Sequence, residues 1–348
     1  MLSAYGVRQV HATAPIRIAD NGGWTDTWAA RHGYVFNIAV RPPVEVRLDV
    51  HPRGARAASV TINAENFGVS YAPVLDGPGW GPHPLLEAAV RTIPPPREAD
   101  VEITVRSDVP AGAATGTSAS VVVAMLGALD RLSGGRRSVG EIAALAHAVE
   151  TDRLGLQSGI QDQICAARGG INFIEITEYP KGIASGISVS DSTVAELNRR
   201  LALIFMGHPH RSSDIHERVM QDLQRMGPDC EPLRALRRAA IGARDAVAAG
   251  DIEAFGAAMR DNTEAQRALN PQLVSADAGR VIEIAAAHGA SGWKINGAGG
   301  DGGSITLLDS GDAMQRRAML DAIVRTNLAI AVIPIEISPE GLTVETQD

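Results

Sequence analysis

Apolar and polar residues alternate from Val44 to Val50 (VEVRLDV) and again from Val101 to Ser107 (VEITVRS). A period of two puts alternate side chains on opposite faces of an extended chain, so both segments predict half-buried strands. The GPGWGPHP stretch between them is turn and loop material, and a helix is predicted to begin at Leu85. From Ser138 to Gly155 the period changes. Ile142, Leu145 and Val149 fall on one helical face, Ser138 and Glu141 have capping-box spacing, and Gly155 can end the helix. INFIEI (Ile171–Ile176) again reads as a strand.

The second half opens with a strand, LALIFM (Leu201–Met206). Helices rich in Ala and Arg follow over about 213–226, 231–248, 251–269 and 277–288. Then come WKIN, GSITLL, a helix over 311–325, and LAIAVIPIEI as a closing strand. The order β, helices, β, β, α, β predicts an antiparallel sheet with helices on one side, an α+β arrangement. The boundary between the halves falls between 180 and 200, which divides the chain into 1–190 and 191–348.

Length agrees, since 348 residues suit two domains better than one. Hydrophobic residues make up 45% and charged residues 21%, enough for a large core. The net charge of −8 comes without a basic stripe, so a nucleic-acid partner is not expected. Cys165 and Cys230 form neither a metal-type cluster nor a disulfide framework. The N-terminus lacks an apolar signal-peptide core, and no apolar run is long enough to span a membrane. A cytoplasmic protein with no membrane partner is the expectation; a homodimer is left open.

Chemistry concentrates in a few segments. DVPAGAATGTSASVVVAMLGALDRL (Asp108–Leu132) leaves a strand, passes Pro110, Gly112, Ala113, Ala114, Thr115 and Gly116, and reaches Thr117, Ser118, Ala119 and Ser120 where a helix should start. Val121, Val122, Met125, Leu129 and Leu132 supply that helix with a buried face. Unpaired N–H groups and a partial positive charge at a helix N-terminus attract phosphate, and a first-turn hydroxyl can ligate Mg2+. A plain capped helix after a flexible turn fits the same residues. No G-x-x-x-x-G-K-[ST] string occurs. GAGGDG (Gly297–Gly302) imitates a dinucleotide fingerprint but leads into a strand, so a glycine turn between two strands is the better reading.

Two further segments carry charge in turns. Arg17 and Asp26 flank Gly22-Gly23-Trp24-Thr25. An Arg on a strand end suits a carboxylate or phosphate, and Asp26 either accepts substrate hydroxyls or makes an Asx-type turn. Glu150 and Asp162 are separated by a Gly-x-x-x-Gly loop (Gly155, Gly159). One carboxylate of such a pair can hold a metal while the other acts as base; two solvated acids are the alternative.

Taken together and in this order, the segments resemble the GHMP kinase superfamily of galactokinase, homoserine kinase, mevalonate kinase and phosphomevalonate kinase. Pro15, Arg17, Ile18, Gly22, Thr25 and Asp26 resemble its P-x-R-V-(x)3-G-E-H-T-D motif, PAGAATGTSAS its P-x-x-x-G-L-G-S-S-A loop, SGIQDQ its G-x-x-D-Q segment, and KINGAGGDGGS its C-terminal glycine turn. GGWTDT, GGINFIEI, GASGWKINGAGG and GHPHRSSDI (Gly207–Ile215) resemble the sugar 1-kinase branch of L-fucokinases and D-glycero-D-manno-heptose 7-phosphate kinases.

The resemblance implies an α+β, two-domain fold. Its N-terminal domain is ribosomal-protein-S5-domain-2-like and its C-terminal domain ferredoxin-like. It implies ATP on residues 110–119 with Gly297 and Gly299 nearby, and Mg2+ on Ser118 and Glu150. Asp162 and Arg17 would be catalytic; Gly22, Gly23, Trp24, Thr25, Asp26 and Arg211 would bind the sugar, with His208 and His210 beside Arg211 for a substrate phosphate. The implied activity is phosphorylation of the anomeric hydroxyl of a sugar, D-glycero-D-manno-heptose 7-phosphate first, L-fucose or another hexose or pentose second. A catalytically silent sugar and ATP sensor is the alternative of another class. Ala114 and Thr115 stand where the family has Gly-Leu, Thr117 where it has Ser, and Asp301 adds a carboxylate to the last glycine turn.

Overall fold

The computed structural model describes residues 8–209, 213–327 and 329–347. Its strands are β1 (Gln9–Asn21), β2 (Gly33–Pro52), β3 (Val60–Ala64), β4 (Val69–Tyr71), β5 (Ala99–Ser107), β6 (Ile171–Glu178), β7 (Lys181–Gly186), β8 (Leu201–Phe205), β9 (Gly292–Ile295), β10 (Ser304–Leu308), β11 (Ala331–Ile333), β12 (Glu336–Ile337) and β13 (Thr343–Gln347). Its helices are α1 (Pro84–Thr92), α2 (Thr117–Leu132), α3 (Val139–Ala148), α4 (Gln161–Arg168), α5 (Asp191–Arg200), α6 (Ser213–Met226), α7 (Glu231–Ala249), α8 (Ile252–Leu269), α9 (Ala276–Ala287) and α10 (Ala313–Thr326).

The strands form two sheets. The larger runs β13-β1-β2-β5-β3-β4, with β6, β7 and β12 added through β2. Strand β2 makes this branching possible. Gly33–Ile38 pairs with β6 and Val44–Pro52 pairs with β5, and the change of partner falls at Pro42-Pro43, where the chain has no N–H to donate. Helix α2 packs on β1 and β2 and places Val122, Met125, Leu126 and Leu129 in the main core with Ile16, Ile18 and Phe36. The capping box read from Ser138 and Glu141 is present at α3.

The smaller sheet, β11-β8-β10-β9, is antiparallel throughout, with α9 and α10 closing its own core around Ile204, Ile305, Val281 and Ile323. That strand order is ferredoxin-like, as expected. Two sequence readings need correction. LAIAVIPIEI is not one strand: β11 ends before Pro334, and Glu336–Ile337 pairs with Arg41 and Val40 of the larger sheet. A proline cannot donate to a ladder, which lets the chain change sheets there. The division at 190/191 consequently does not hold to the C-terminus, because β12 and β13 rejoin the N-terminal sheet, β13 on β1.

Candidate functional site

A cleft of about 670 Å³ lies where the two sheets meet, and most of the chemically marked segments contribute to its lining: Arg17, Gly23, Trp24, Asp26, Gly112 to Ser118, Glu150, Asp162 and Gly297. The remaining sequence candidates act behind it. Gly22 donates to Asn262 Oδ1 at 2.7 Å, and Thr25 Oγ1 donates to the Gly22 and Tyr34 carbonyls, so both shape the turn that carries Trp24 and Asp26. Pro110 accepts the Ala113 N–H, Ala119 is buried in α2, and Gly299 packs on Leu273. His210 and Arg211 lie outside the described residues.

The loop before α2 is built for close approach. Gly112, Ala114 and Gly116 all have positive φ, and Gly116, the N-cap, leaves α2 without a side-chain cap. The first-turn N–H groups of α2 therefore have no side-chain cap. Thr115 and Thr117 hydroxyls pair with each other at 3.0 Å, while Ser118 is exposed. Ala114, at φ +57, occupies the left-handed region that costs an L-residue about 1 kcal/mol. The loop is pinned from both sides. Arg17 N donates to Thr115 O at 2.9 Å, the Arg17 guanidinium to Ala114 O, and Ser304 Oγ of β10 to Ala113 O at 2.5 Å.

Asp162 sits in the first turn of α4 and meets Arg17 twice, Nε to Oδ1 at 2.8 Å and Nη2 to Oδ2 at 3.2 Å. Burial works against the Arg17 charge, but Asp162 and then Asp20 outweigh it and hold the guanidinium protonated. Asp26 is buried, accepts the Gln161 N–H at 3.2 Å, and has its carboxyl pushed up to about 6 by burial first and by Asp162 second. Glu150 lies on a π turn, Val149–Arg153, that continues α3. Such turns recur at functional sites because they redirect one side chain. Burial pushes its carboxyl up to about 7, against hydrogen bonding to Ser158 and Gln163, and its Oε1 has no partner. A buried carboxylate oxygen unpaired among the described residues suits a cation, as does the exposed hydroxyl of Ser118, which also lines the cleft.

Several site residues were not singled out from the sequence. Lys294 and Asp20, both fully buried, pair at 3.2 Å, and Asp20 accepts the Gly297 N–H through both oxygens (3.2 and 3.1 Å). Asn296 accepts from Ala19 N at 3.1 Å and from Thr306 Oγ1 at 2.9 Å. These bonds lock the glycine turn of the smaller sheet to β1. A charged residue among the apolar positions of WKIN was the one available signal. His216 stacks on Trp24 at 4.9 Å from a helix whose pattern gave no reason to single it out. Asp301 turns to His208, Oδ1 to Nε2 at 3.7 Å, and neither residue lines the cleft.

Residues 85–170 match the family model for the GHMP kinases N terminal domain. Over that segment the chain is similar to the GHMP kinases. It is 27% identical over 205 residues to a D-glycero-alpha-D-manno-heptose 7-phosphate kinase of Campylobacter jejuni, covering 58% of this chain and 60% of that one. It is 26% identical over 334 residues to the bifunctional fucokinase/GDP-fucose pyrophosphorylase of Arabidopsis thaliana, covering 90% of this chain and 31% of that one. The match thus spans less than two thirds of either relative. Among solved structures, a D-glycero-D-manno-heptose 1-phosphate kinase of Bacteroides thetaiotaomicron superposes with a TM-score of 0.73 at 22% identity, over 97% of this chain and 98% of that one, which shows the shared fold. Among the described residues no helix is long and apolar enough to cross a membrane.

Proposed function

We propose that this chain is an ATP-dependent kinase that phosphorylates the anomeric hydroxyl of a sugar, with D-glycero-D-manno-heptose 7-phosphate as the preferred acceptor. The observation that carries the reading is the Arg17–Asp162 pair, held beside an uncapped helix N-terminus inside one cleft. Phosphoryl transfer needs little covalent help from the protein; it needs positioned charge. The α2 N-terminus and the open Gly112–Gly116 backbone suit the phosphates of ATP. The base has a place to go: an apolar cavity of about 560 Å³, lined by Phe67, Trp80 and His83, shares Gly112, Thr117, Ser118 and Leu156 with the cleft.

Asp162 would accept the proton of the attacking hydroxyl or orient it, and the Arg17 guanidinium, paired with it at 2.8 Å, would steady the transferred group. Asp26, with Gly23 and Trp24, would bind the other sugar hydroxyls. Glu150 and Ser118 would hold Mg2+, which supplies charge neutralisation on the phosphates when bound. A second reading, L-fucokinase, is favoured by the 334-residue alignment with the plant fucokinase. A silent sensor is disfavoured because both Glu150 and Asp162 reach the cleft.

The test is ADP release with D-glycero-D-manno-heptose 7-phosphate, L-fucose, D-galactose and mevalonate as acceptors. Activity confined to the heptose phosphate supports the first reading and activity on L-fucose the second. Binding of sugar and ATP without ADP release overturns both in favour of the sensor.

A further inference from the structure

Three cleft residues carry buried polar atoms that find no partner among the described residues: Glu150 Oε1, Trp24 Nε1 and Gln161 Oε1. A cation accounts for the first. The other two belong to side chains only 5% and 6% exposed. Leaving a buried donor or acceptor unpaired carries the full cost of its lost water contacts.

Both side chains are held where they are by their surroundings. Trp24 has φ +80, a conformation that a bulky residue keeps only when its surroundings impose it. Its ring lies against His216 and belongs to one buried apolar cluster with Val219, Leu223 and Leu273. Gln161 precedes Asp162 at the start of α4, and its N–H is the bond that anchors Asp26. Gly23 makes room for it: a Cβ there would lie 3.4 Å from Gln161 Nε2 and 2.9 Å from Asp20 Oδ2. Gln161 is thus tied by neighbouring bonds to both carboxylates expected to handle the acceptor.

The chemistry of the two orphaned atoms is complementary. An indole N–H only donates, and a carboxamide oxygen only accepts. A carboxylate could answer the first but not the second, and it would also face Asp26 and Asp162. An ammonium could answer only the second. Hydroxyl groups answer both. We propose that Trp24 Nε1 and Gln161 Oε1 read hydroxyls of the acceptor other than the one that reacts, which makes Gln161 a specificity-determining residue that favours polyols over acceptors bearing a carboxylate. This rests on the sugar-kinase reading above.

The test uses the full-length chain and the steady-state kinetics of ADP release. The acceptor is whichever of D-glycero-D-manno-heptose 7-phosphate or L-fucose turns over, together with its monodeoxy analogues. Trp24→Phe keeps the ring and loses the N–H; Gln161→Met keeps the length and loses the acceptor. Each is expected to raise KM for the sugar by roughly 5- to 150-fold, the range of one buried hydrogen bond, with KM for ATP within about twofold of wild type. Wild type should reject one monodeoxy analogue by a similar factor, and Gln161→Met should no longer distinguish that analogue from its parent. A Gln161→Met enzyme that ranks the whole monodeoxy series as wild type does overturns the proposal. Should that variant fail to fold, the same comparison with Trp24→Phe decides. Failure of the underlying reading shows separately, as no ADP release from any sugar by wild type, and it takes this proposal with it.

Discussion

Arg17 and Asp162 are 145 residues apart in sequence and 2.8 Å apart in space. Strand β1 delivers the guanidinium, the first turn of α4 delivers the carboxylate, and the carbonyl of Ala114 ties the pair to the loop before α2. Asp162→Asn keeps the shape and removes the proposed base. Proton transfer by a positioned group contributes about 10²- to 10⁴-fold, so kcat should fall in that range while ATP binding by calorimetry stays within a few-fold of wild type. Wild-type turnover in this variant would remove Asp162 from the mechanism.

Gly116 tests the same geometry from the other side. A Cβ there would sit 3.2 Å from Asp162 Cγ and 3.3 Å from Arg17 Cγ, on a residue at φ +70. Gly116→Ala should lower kcat by at least about tenfold, since small displacements of reacting groups are expensive. Gly140→Ala in α3, where the added methyl meets nothing within 4 Å, is the control and should leave kcat unchanged.

Much of this was legible in the sequence because it was local. The loop, the turn and the α4 segment each carry small residues or charges at fixed spacing, and their helices and strands have clean periods. The C-terminal ladder was not legible: β12 and β13 are short, and their partners lie about 300 residues away. Asp20, Lys294 and Asn296 were missed for a similar reason. Each looks unremarkable alone, and their meaning comes from pairing across two sheets. Gln161 sat inside a motif already marked, but its neighbour Asp162 carried the resemblance, and an orphaned oxygen shows only once the fold is closed.

Glu150 should govern the metal. With its Oε1 unpaired and its carboxyl pushed up to about 7 by burial, it gains most from a cation that favours the ionised form. Glu150→Gln should raise the Mg2+ concentration needed for half-maximal ADP release by roughly tenfold or more. Measured without metal, the variant should melt no lower than wild type, because a buried charge has been removed. Unchanged Mg2+ dependence would send the cation elsewhere.

Asp26 should couple sugar binding to pH. Its carboxyl is raised from 3.8 to about 6, chiefly by burial. A raised carboxyl contributes stability in its protonated form, fully below about pH 4, and loses that contribution as pH rises through about 6. Asp26→Asn should therefore stabilise the ligand-free protein by about 1–3 kcal/mol near pH 8 and by little near pH 4. The same substitution should raise KM for the sugar and abolish any acid limb near pH 6 in kcat/KM. Urea titrations at the two pH values check the first part, and a variant less stable than wild type near pH 8 contradicts it.

Lys294 and Asp20 hold the two sheets together through charge. Both are fully buried, and burial pulls the Lys294 ammonium below its ordinary range while Asp20 pulls it back. Removing one partner of a buried pair strands the other, at a cost of about 3–5 kcal/mol. Lys294→Met should cost that much in urea unfolding and should also lower kcat, because Asp20 then loses the ammonium that fixes it while it holds the Gly297 N–H. Asp20→Asn in the same chain removes the stranded charge and should recover part of the stability. The double-mutant cycle should accordingly show a coupling of at least about 1 kcal/mol. Additive losses would mean that Lys294 and Asp20 act on the glycine turn independently, and the pair would no longer explain how the smaller sheet is held against Arg17.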